Sequence, residues 1–433
     1  MEWRRFGLGA VRAALMLTFA CVLAVASHAA PAAPPLDPLA ALVAGATPAG
    51  PPLAGLAVVT ADRDHVLRAQ VFGSAEFGSA SRPLAADTPV RVASISKLAV
   101  ALTVMRLVEA GKLDLDADVA IYLGWPLRNP AFPDAPLSLR QLLSHTSGID
   151  DGPGYSFPLG TTLQRAMTPA HWSTYAPGAR FSYANLNYGV IATVIEAVTQ
   201  QRFDRLMTAQ LFAPLGLDAC FNWSGCSDTA VADAATLYRK GLDENHWDPA
   251  GPWVAQVDDL HGIRPRCPVR GMAVCDVDAY VPGSNGTLFS PQGGLRISAL
   301  GLAKLGRLLL RGGEVDGVRL LTPESVKALL TPVWSGQPPI GDNYDGLMRC
   351  YGAGLQCLTG GAGDQPVAGP PLIGWGHLGE AYGLYGGLWI DPGRDRVFVY
   401  LITGVGDNPA KFPGVRSKFT AFEEAVLSDL ATR

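Results

Sequence analysis

Residues 94–111 read SISKLAVALTVMRLVEAG. Thr103, Arg106 and Glu109 recur at every third place and nearly everything else is apolar, which predicts a mostly buried helix over about 94–110, closed by Gly111. Ser94 and Lys97 fall one turn apart on the same face of such a helix. At 100° per residue, Ser94 lies roughly 180° from Thr103 in the polar stripe and is expected to point away from solvent. A serine hydroxyl is a weak nucleophile alone and needs a neighbouring base to take its proton. A desolvated lysine loses proton affinity and can serve as that base. Of the seven lysines in the chain, only Lys97 has a serine three places before it.

Two further constellations lie far along the chain. Tyr183-Ala184-Asn185 follows Pro177-Gly178 and precedes an apolar helical stretch over about 187–199. Among the twelve tyrosines, Tyr183 alone has Asn two places on. Tyrosine can relay a proton, and asparagine can hold an acyl side-chain amide and orient the lysine. His377-Leu378-Gly379 sits in the run Gly374–Glu380, just before an apolar strand signal, and His377 is the one histidine of seven with Gly two places on. Glycine lets a strand backbone approach a ligand closely, and an N–H there can complete an oxyanion hole with that of Ser94. Taken singly, each motif also fits a plain structural role, a capping loop in one case and a glycine-rich turn in the other.

Strand signals stand at both ends of the chain. Leu53–Thr60 and His65–Gly73 flank the polar turn Asp62-Arg63-Asp64, while Leu384–Ile390 and Arg396–Thr403 flank Asp391-Pro392-Gly393. Helical patterns lie between them, around Ser138–Ser144, Asn187–Thr199 and Ser298–Arg311, and a last helix is expected over about Ser417–Ala431. The expected architecture is an α/β (α+β) fold: an antiparallel sheet flanked by helices and built from both chain ends, with a mainly helical domain inserted over about 112–290. Residues 220–282, rich in Asp, Trp and Pro, are expected to form an irregular stapled insertion within it.

Order, separation and context of the three motifs together resemble the serine β-lactamase and penicillin-binding protein superfamily, in particular its class C β-lactamase-like branch. Segments 91–111, 137–149 with Leu143-Ser144-His145-Thr146-Ser147-Gly148, 177–199 and Gly293-Gly294 leading into 298–310 resemble the family too, so the likeness spans most of the chain from about Leu53. It implies a cleft between two domains, Ser94 as nucleophile, Lys97 as its base and Tyr183 as the proton relay. It further implies that Asn185, His377, Gly379 and Glu380 bind substrate, that the N–H groups of Ser94 and Glu380 form the oxyanion hole, and that no metal or organic cofactor is required. Two departures bear on substrate. His377 stands where β-lactamases of this branch carry Lys, and Glu380 where a small hydroxyl residue is usual. Both weaken recognition of a β-lactam carboxylate, and both suit a small ester or a D-amino-acid peptide or amide. A true β-lactamase, a penicillin-binding D-Ala-D-Ala carboxypeptidase and a catalytically silent binding or sensor protein on the same fold are the alternatives.

Composition excludes other classes. Of 433 residues, 48% are hydrophobic and 17% charged, and the net charge is −4 with no block of Lys or Arg. A nucleic-acid surface needs a basic stripe to displace counterions, so the expected partner is a small molecule or peptide. No Gly-x-Ser-x-Gly elbow occurs. Asp114, Asp116 and Asp118 have alternate spacing but lack the Gly and Glu of a calcium loop. His145 reads as structural, and Tyr382 and Trp375 as packing beside a strand that could also line the cleft.

Arg4, Arg5 and Arg12, the apolar run 13–26 and the small residues of Ser27-His28-Ala29 have the parts of a secretory signal peptide over 1–29, cleaved after Ala29. Export to the periplasm or medium, with no stable membrane insertion after cleavage, is the expectation. A Pro/Ala-rich linker or loosely docked arm over 30–52 would follow, and then a catalytic domain over 53–433. Cys220, Cys226, Cys267, Cys275, Cys350 and Cys357 remain in three close pairs. In an exported chain an even count points to disulfides; 15 connectivities are possible, and sequential pairing is favoured.

Overall fold

The computed structural model describes residues 37–432, apart from 79–80, 268 and 270–274. The expected signal segment, 1–29, lies outside the described residues.

Among the described residues, seven strands form one antiparallel sheet: β1 (Gly55–Ala61), β2 (Val66–Glu76), β3 (Arg82–Pro83), β4 (Gln356–Leu358), β5 (Gly374–Ala381), β6 (Leu384–Asp391) and β7 (Arg396–Ile402). Their order is β4-β5-β6-β7-β1-β2-β3, so β1 joins the first part of the chain to the last, with Val59 opposite Val399 on one side and Ala69 on the other. Both chain ends thus build the sheet, as the strand signals predict. β1 is buried throughout. Its alternating side chains feed two cores, Ala57, Val59 and Ala61 entering one and Leu56 and Val58 the other.

The principal helices are α1 (Pro38–Val43), α2 (Ser96–Glu109), α3 (Leu186–Thr199), α4 (Ala299–Leu310) and α5 (Ala421–Thr432). On one face α4 packs on β1, β6 and β7. On the other, Leu39 and Leu42 of α1 and Phe422, Val426 and Leu427 of α5 close over Val58, Phe398 and Tyr400. Residues 37–52 are therefore no free linker: the Asp37 side chain accepts the Leu39 N–H at 2.8 Å, Pro38 opens the helix, and two buried leucines dock it.

The stretch quoted at the outset folds in two steps. Ala93–Ile95 make a single tight 3-10 turn and α2 starts at Ser96, ending before Gly111, which takes a φ of +66°. Thr103 departs from expectation. It is fully buried, and its hydroxyl donates to the Ala99 carbonyl at 3.2 Å, which satisfies it without solvent. Only Arg106 and Glu109 of the stripe reach the surface.

Three disulfides, Cys220–Cys226, Cys267–Cys275 and Cys350–Cys357, pair the cysteines sequentially. The region 220–282 is more regular than its composition suggests. Leu237–Arg239 and Val254–Val257 pair antiparallel, and the former also runs parallel to Gly404–Val405 just after β7. Buried Leu237 and Tyr238 explain this docking.

Candidate active site

Three chain segments hold the turn that carries Ser94. Val90–Arg91 pairs with Leu295–Ile297, which in turn pairs with Cys220–Phe221 beside the first disulfide. The Ser96 hydroxyl donates to the Ala93 carbonyl at 2.6 Å and accepts the Leu295 N–H at 3.0 Å, stitching the start of α2 to that strand. Ala93 adopts a φ of +46°, a left-handed conformation costly for a residue with a Cβ and held here by these bonds. The turn brings Ser94 to a cleft of about 870 Å³, where it is partly exposed, contrary to the inward orientation expected from an ideal helix.

Lys97 is fully buried beneath it. Its Nζ donates to Ser94 Oγ, Asn185 Oδ1 and the Gln292 carbonyl, each at 3.0 Å, and lies 4.8 Å from the centre of the Tyr183 ring. Burial lowers its pKa to about 7, against a smaller upward pull from Asp151. The Tyr183 hydroxyl donates to Ser94 Oγ at 3.0 Å. Burial holds its own pKa well above the usual phenol value, so Tyr183 is neutral at rest. Asn185 sits at the cap of α3, where Asp151 accepts its N–H at 2.6 Å, its side-chain amide at 3.0 Å and the Leu186 N–H at 2.9 Å. Asp151 thereby turns the Asn185 carbonyl oxygen toward Lys97.

Behind Tyr183, His145 stacks at 4.2 Å between ring centroids, and its Nδ1 accepts the Ala184 N–H at 3.1 Å. Burial drops its pKa well below the usual range. A neutral, fully packed ring fits the structural role read from the sequence.

β5 brings the third motif, with two corrections. His377, expected to bind substrate, is fully buried and absent from the cleft lining. Its Nδ1 meets the Leu378 carbonyl at 2.6 Å and its Nε2 the Tyr351 hydroxyl at 2.7 Å. A carbonyl only accepts, so the proton belongs on Nδ1 and Tyr351 donates to Nε2. Burial, with repulsion from Lys97, lowers the pKa to about 3, so the ring carries no charge at neutral pH. Gly379 is likewise absent from the lining; a Cβ there would lie 2.3 Å from the Val92 carbonyl oxygen. The glycine is what lets β5 press against the turn that carries Ser94.

Glu380 does line the cleft, but its carboxylate accepts the Tyr385 hydroxyl at 2.6 Å across the β5–β6 ladder. Strand alternation puts it on the face of Leu378, opposite to His377 and Gly379. Its negative charge is thus turned away from Ser94 more than the sequence suggests. Beyond Gly376, β5 has no β4 partner, and this open length packs on the Ala93–Ile95 turn. Tyr382 lines the cleft beneath the Arg91 guanidinium, 4.7 Å from its ring centre, whereas Trp375 faces a different groove.

Asp151, Tyr351 and Gln292 were not legible in the sequence. Asp151 follows the Leu143–Gly148 run closely, yet a loop carboxylate beside Asp150 gives no periodic signal. Among the described residues no group of His, Cys, Asp or Glu could hold a metal ion.

The family model described as Beta-lactamase matches residues 46–417. Protein Rv1367c of Mycobacterium tuberculosis is 26% identical over 381 residues, covering 78% of this chain and 83% of that protein. Esterase EstB of Burkholderia gladioli is 35% identical over 175 residues, 35% of this chain and 42% of that protein. Among solved structures, the octameric penicillin-binding protein homologue from Pyrococcus abyssi superposes with a TM-score of 0.60 at 21% identity, covering 88% of this chain and 74% of that one.

Proposed function

The chain belongs to the beta-lactamase family, and from that premise we propose that it is an exported serine hydrolase, acting through an acyl-enzyme on a small ester or a D-amino-acid peptide or amide. The observation that carries this is the meeting of Lys97 Nζ and the Tyr183 hydroxyl on Ser94 Oγ, each at 3.0 Å. At a pKa of about 7, a large share of Lys97 is neutral at neutral pH, and its lone pair takes the hydroxyl proton as Ser94 attacks the carbonyl carbon. The N–H groups of Ser94 and Glu380 receive the developing oxyanion. Tyr183 passes a proton to the leaving group; in the second half-reaction it regains one from the water that attacks the acyl carbon, while Lys97 returns its proton to the departing Ser94 Oγ. No step calls for a cofactor.

The uncharged, buried His377 favours this reading over a dedicated β-lactamase, since no cation stands on β5 to hold a β-lactam carboxylate. EstB, matched over part of its length, supports the ester arm. The test is intact-protein mass spectrometry after a fluorophosphonate, followed by a panel of p-nitrophenyl esters, D-amino-acid amides and nitrocefin with Ser94→Ala as control. A single adduct on Ser94 and ester or amide turnover lost in Ser94→Ala are expected. Ligand binding without adduct or turnover would instead identify a silent binding protein.

A further inference from the structure

One wall of the cleft comes from the disulfide-bearing stretch and carries Arg239. Its strand is clamped on three sides. Leu237–Arg239 pairs with Val254–Val257 and Gly404–Val405, and the turn after β5 lies against it. At Gly383, φ +88°, a Cβ would fall 2.0 Å from the Tyr238 carbonyl oxygen and 3.0 Å from Arg239 Cγ. The backbone and the base of the Arg239 side chain are therefore fixed relative to the turn after β5.

Arg239 is only 9% exposed. A guanidinium is always charged and has five N–H donors, so burying it is costly unless the charge is paired and the donors are met. Here its direct partners are weak. They are Gln256 Oε1 at 3.5 Å, the Glu244 carboxylate at 3.6 Å and the Trp247 ring at 5.9 Å, with the Glu380 carboxylate attracting the guanidinium through space. The Glu244 side chain is 75% exposed, and such pairs contribute little in water. Arg91, the other cation of the cleft, donates to the Gly293 carbonyl and sits on Tyr382.

Tyr183 and Arg239 meet β5 and the turn after it at different places along their length. Tyr183, placed to protonate the leaving group, lies near His377, with ring centroids 6.3 Å apart. Arg239 lies against Tyr382-Gly383, in the turn that follows the end of β5 at Ala381. The leaving group thus departs at the Tyr183 end, and the acyl portion extends toward Arg239. We propose that Arg239 anchors a carboxylate on the acyl portion of the substrate, and that Glu244 occupies the guanidinium until that group arrives. The proposal rests on the acyl-enzyme reading of Ser94. A carboxylate meets a guanidinium in two parallel hydrogen bonds, which neither Gln256 nor Glu244 supplies here. Asp243 and Glu244 are well hydrated, with side chains 51% and 75% exposed, and so make a poor site for an ammonium group.

Three matched substrates test this on the full chain: the mono-p-nitrophenyl ester of adipate, p-nitrophenyl hexanoate and p-nitrophenyl 6-aminohexanoate. The anionic ester is expected to exceed the neutral one about ten-fold or more in kcat/KM. Arg239→Gln should bring that ratio close to one, and Glu244→Gln, an exposed change, should raise it several-fold. A preference for the aminohexanoate, or a ratio that neither variant moves, overturns the proposal. If Arg239→Gln fails to fold, Glu244→Gln decides alone, and an unchanged ratio overturns it. Fluorophosphonate labelling separates the two readings. A chain labelled at Ser94 but indifferent to the acyl charge loses only the anchor, whereas one that neither labels nor turns over any ester loses both.

Discussion

Asp151 grips Asn185 at two points, accepting its main-chain N–H at 2.6 Å and its side-chain amide at 3.0 Å. The first bond caps α3 and the second aims the amide oxygen at Lys97, so one carboxylate sets both the helix start and the lysine's environment. Asp151→Ala is expected to cost about 1–2 kcal/mol of stability through the lost cap, read as a lower urea midpoint. It is also expected to lower kcat/KM about ten-fold or more. A variant with unchanged kinetics would refute the orienting role.

The rate of acylation should follow the neutral form of Lys97. Burial depresses its pKa to about 7, so the rate rises with pH below that value and levels off above it. Asp151 pulls the value upward, so its removal shifts the midpoint to lower pH. His377, with a pKa of about 3, contributes no step between pH 5 and 9. Pre-steady-state release of p-nitrophenol across that range checks all three statements.

Gly379 faces the Val92 carbonyl oxygen at a distance that a methyl group cannot share. Gly379→Ala should push β5 off the nucleophile's turn and misplace the Glu380 N–H. A fall in kcat of about 10²-fold is expected, in the range seen when one oxyanion donor is lost. Its circular dichroism spectrum should match the parent's. Parent-like kcat would remove the Glu380 N–H from the mechanism.

Each disulfide closes a short loop, of 6, 8 or 7 residues. In the loop-closure account, a loop this short limits the unfolded chain by about 2 kcal/mol. The double variant Cys220→Ala/Cys226→Ala should lose about that much in equilibrium urea unfolding at constant m. It should lose activity as well, because Cys220–Phe221 pairs with the strand that holds Val90–Arg91 next to Ser94.

What could be read in advance followed from local rules. The Ser94–Lys97 spacing needs only helical geometry, and the terminal strand pairs announce themselves by apolar runs around polar turns. Failures came where the side chain's fate depends on distant partners. Thr103 reads as polar but satisfies itself on Ala99. His377 reads as a substrate-binding residue, yet Tyr351, 26 positions upstream, captures its ring. Glu380 reads as a charge beside the nucleophile, while strand alternation turns it to Tyr385. Asp151 and Arg239 enter the site through loops and short strands that carry no period. The stripe and the ladder are written in one segment; the contacts that aim a carboxylate or bury a guanidinium are written in several.

The interior position of β1, between β7 and β2, has a cost during synthesis. Its apolar residues are made early, while one of its two neighbours, β7, is made near the end of the chain. Until Val399 leaves the ribosome, Val59 has no partner on that side. Loop closure over so long a separation is slow, and an unpaired apolar strand is prone to pair with other chains meanwhile. Covering that edge during synthesis is expected to help, so yield on expression should respond to chaperone supply more than to changes in the cleft.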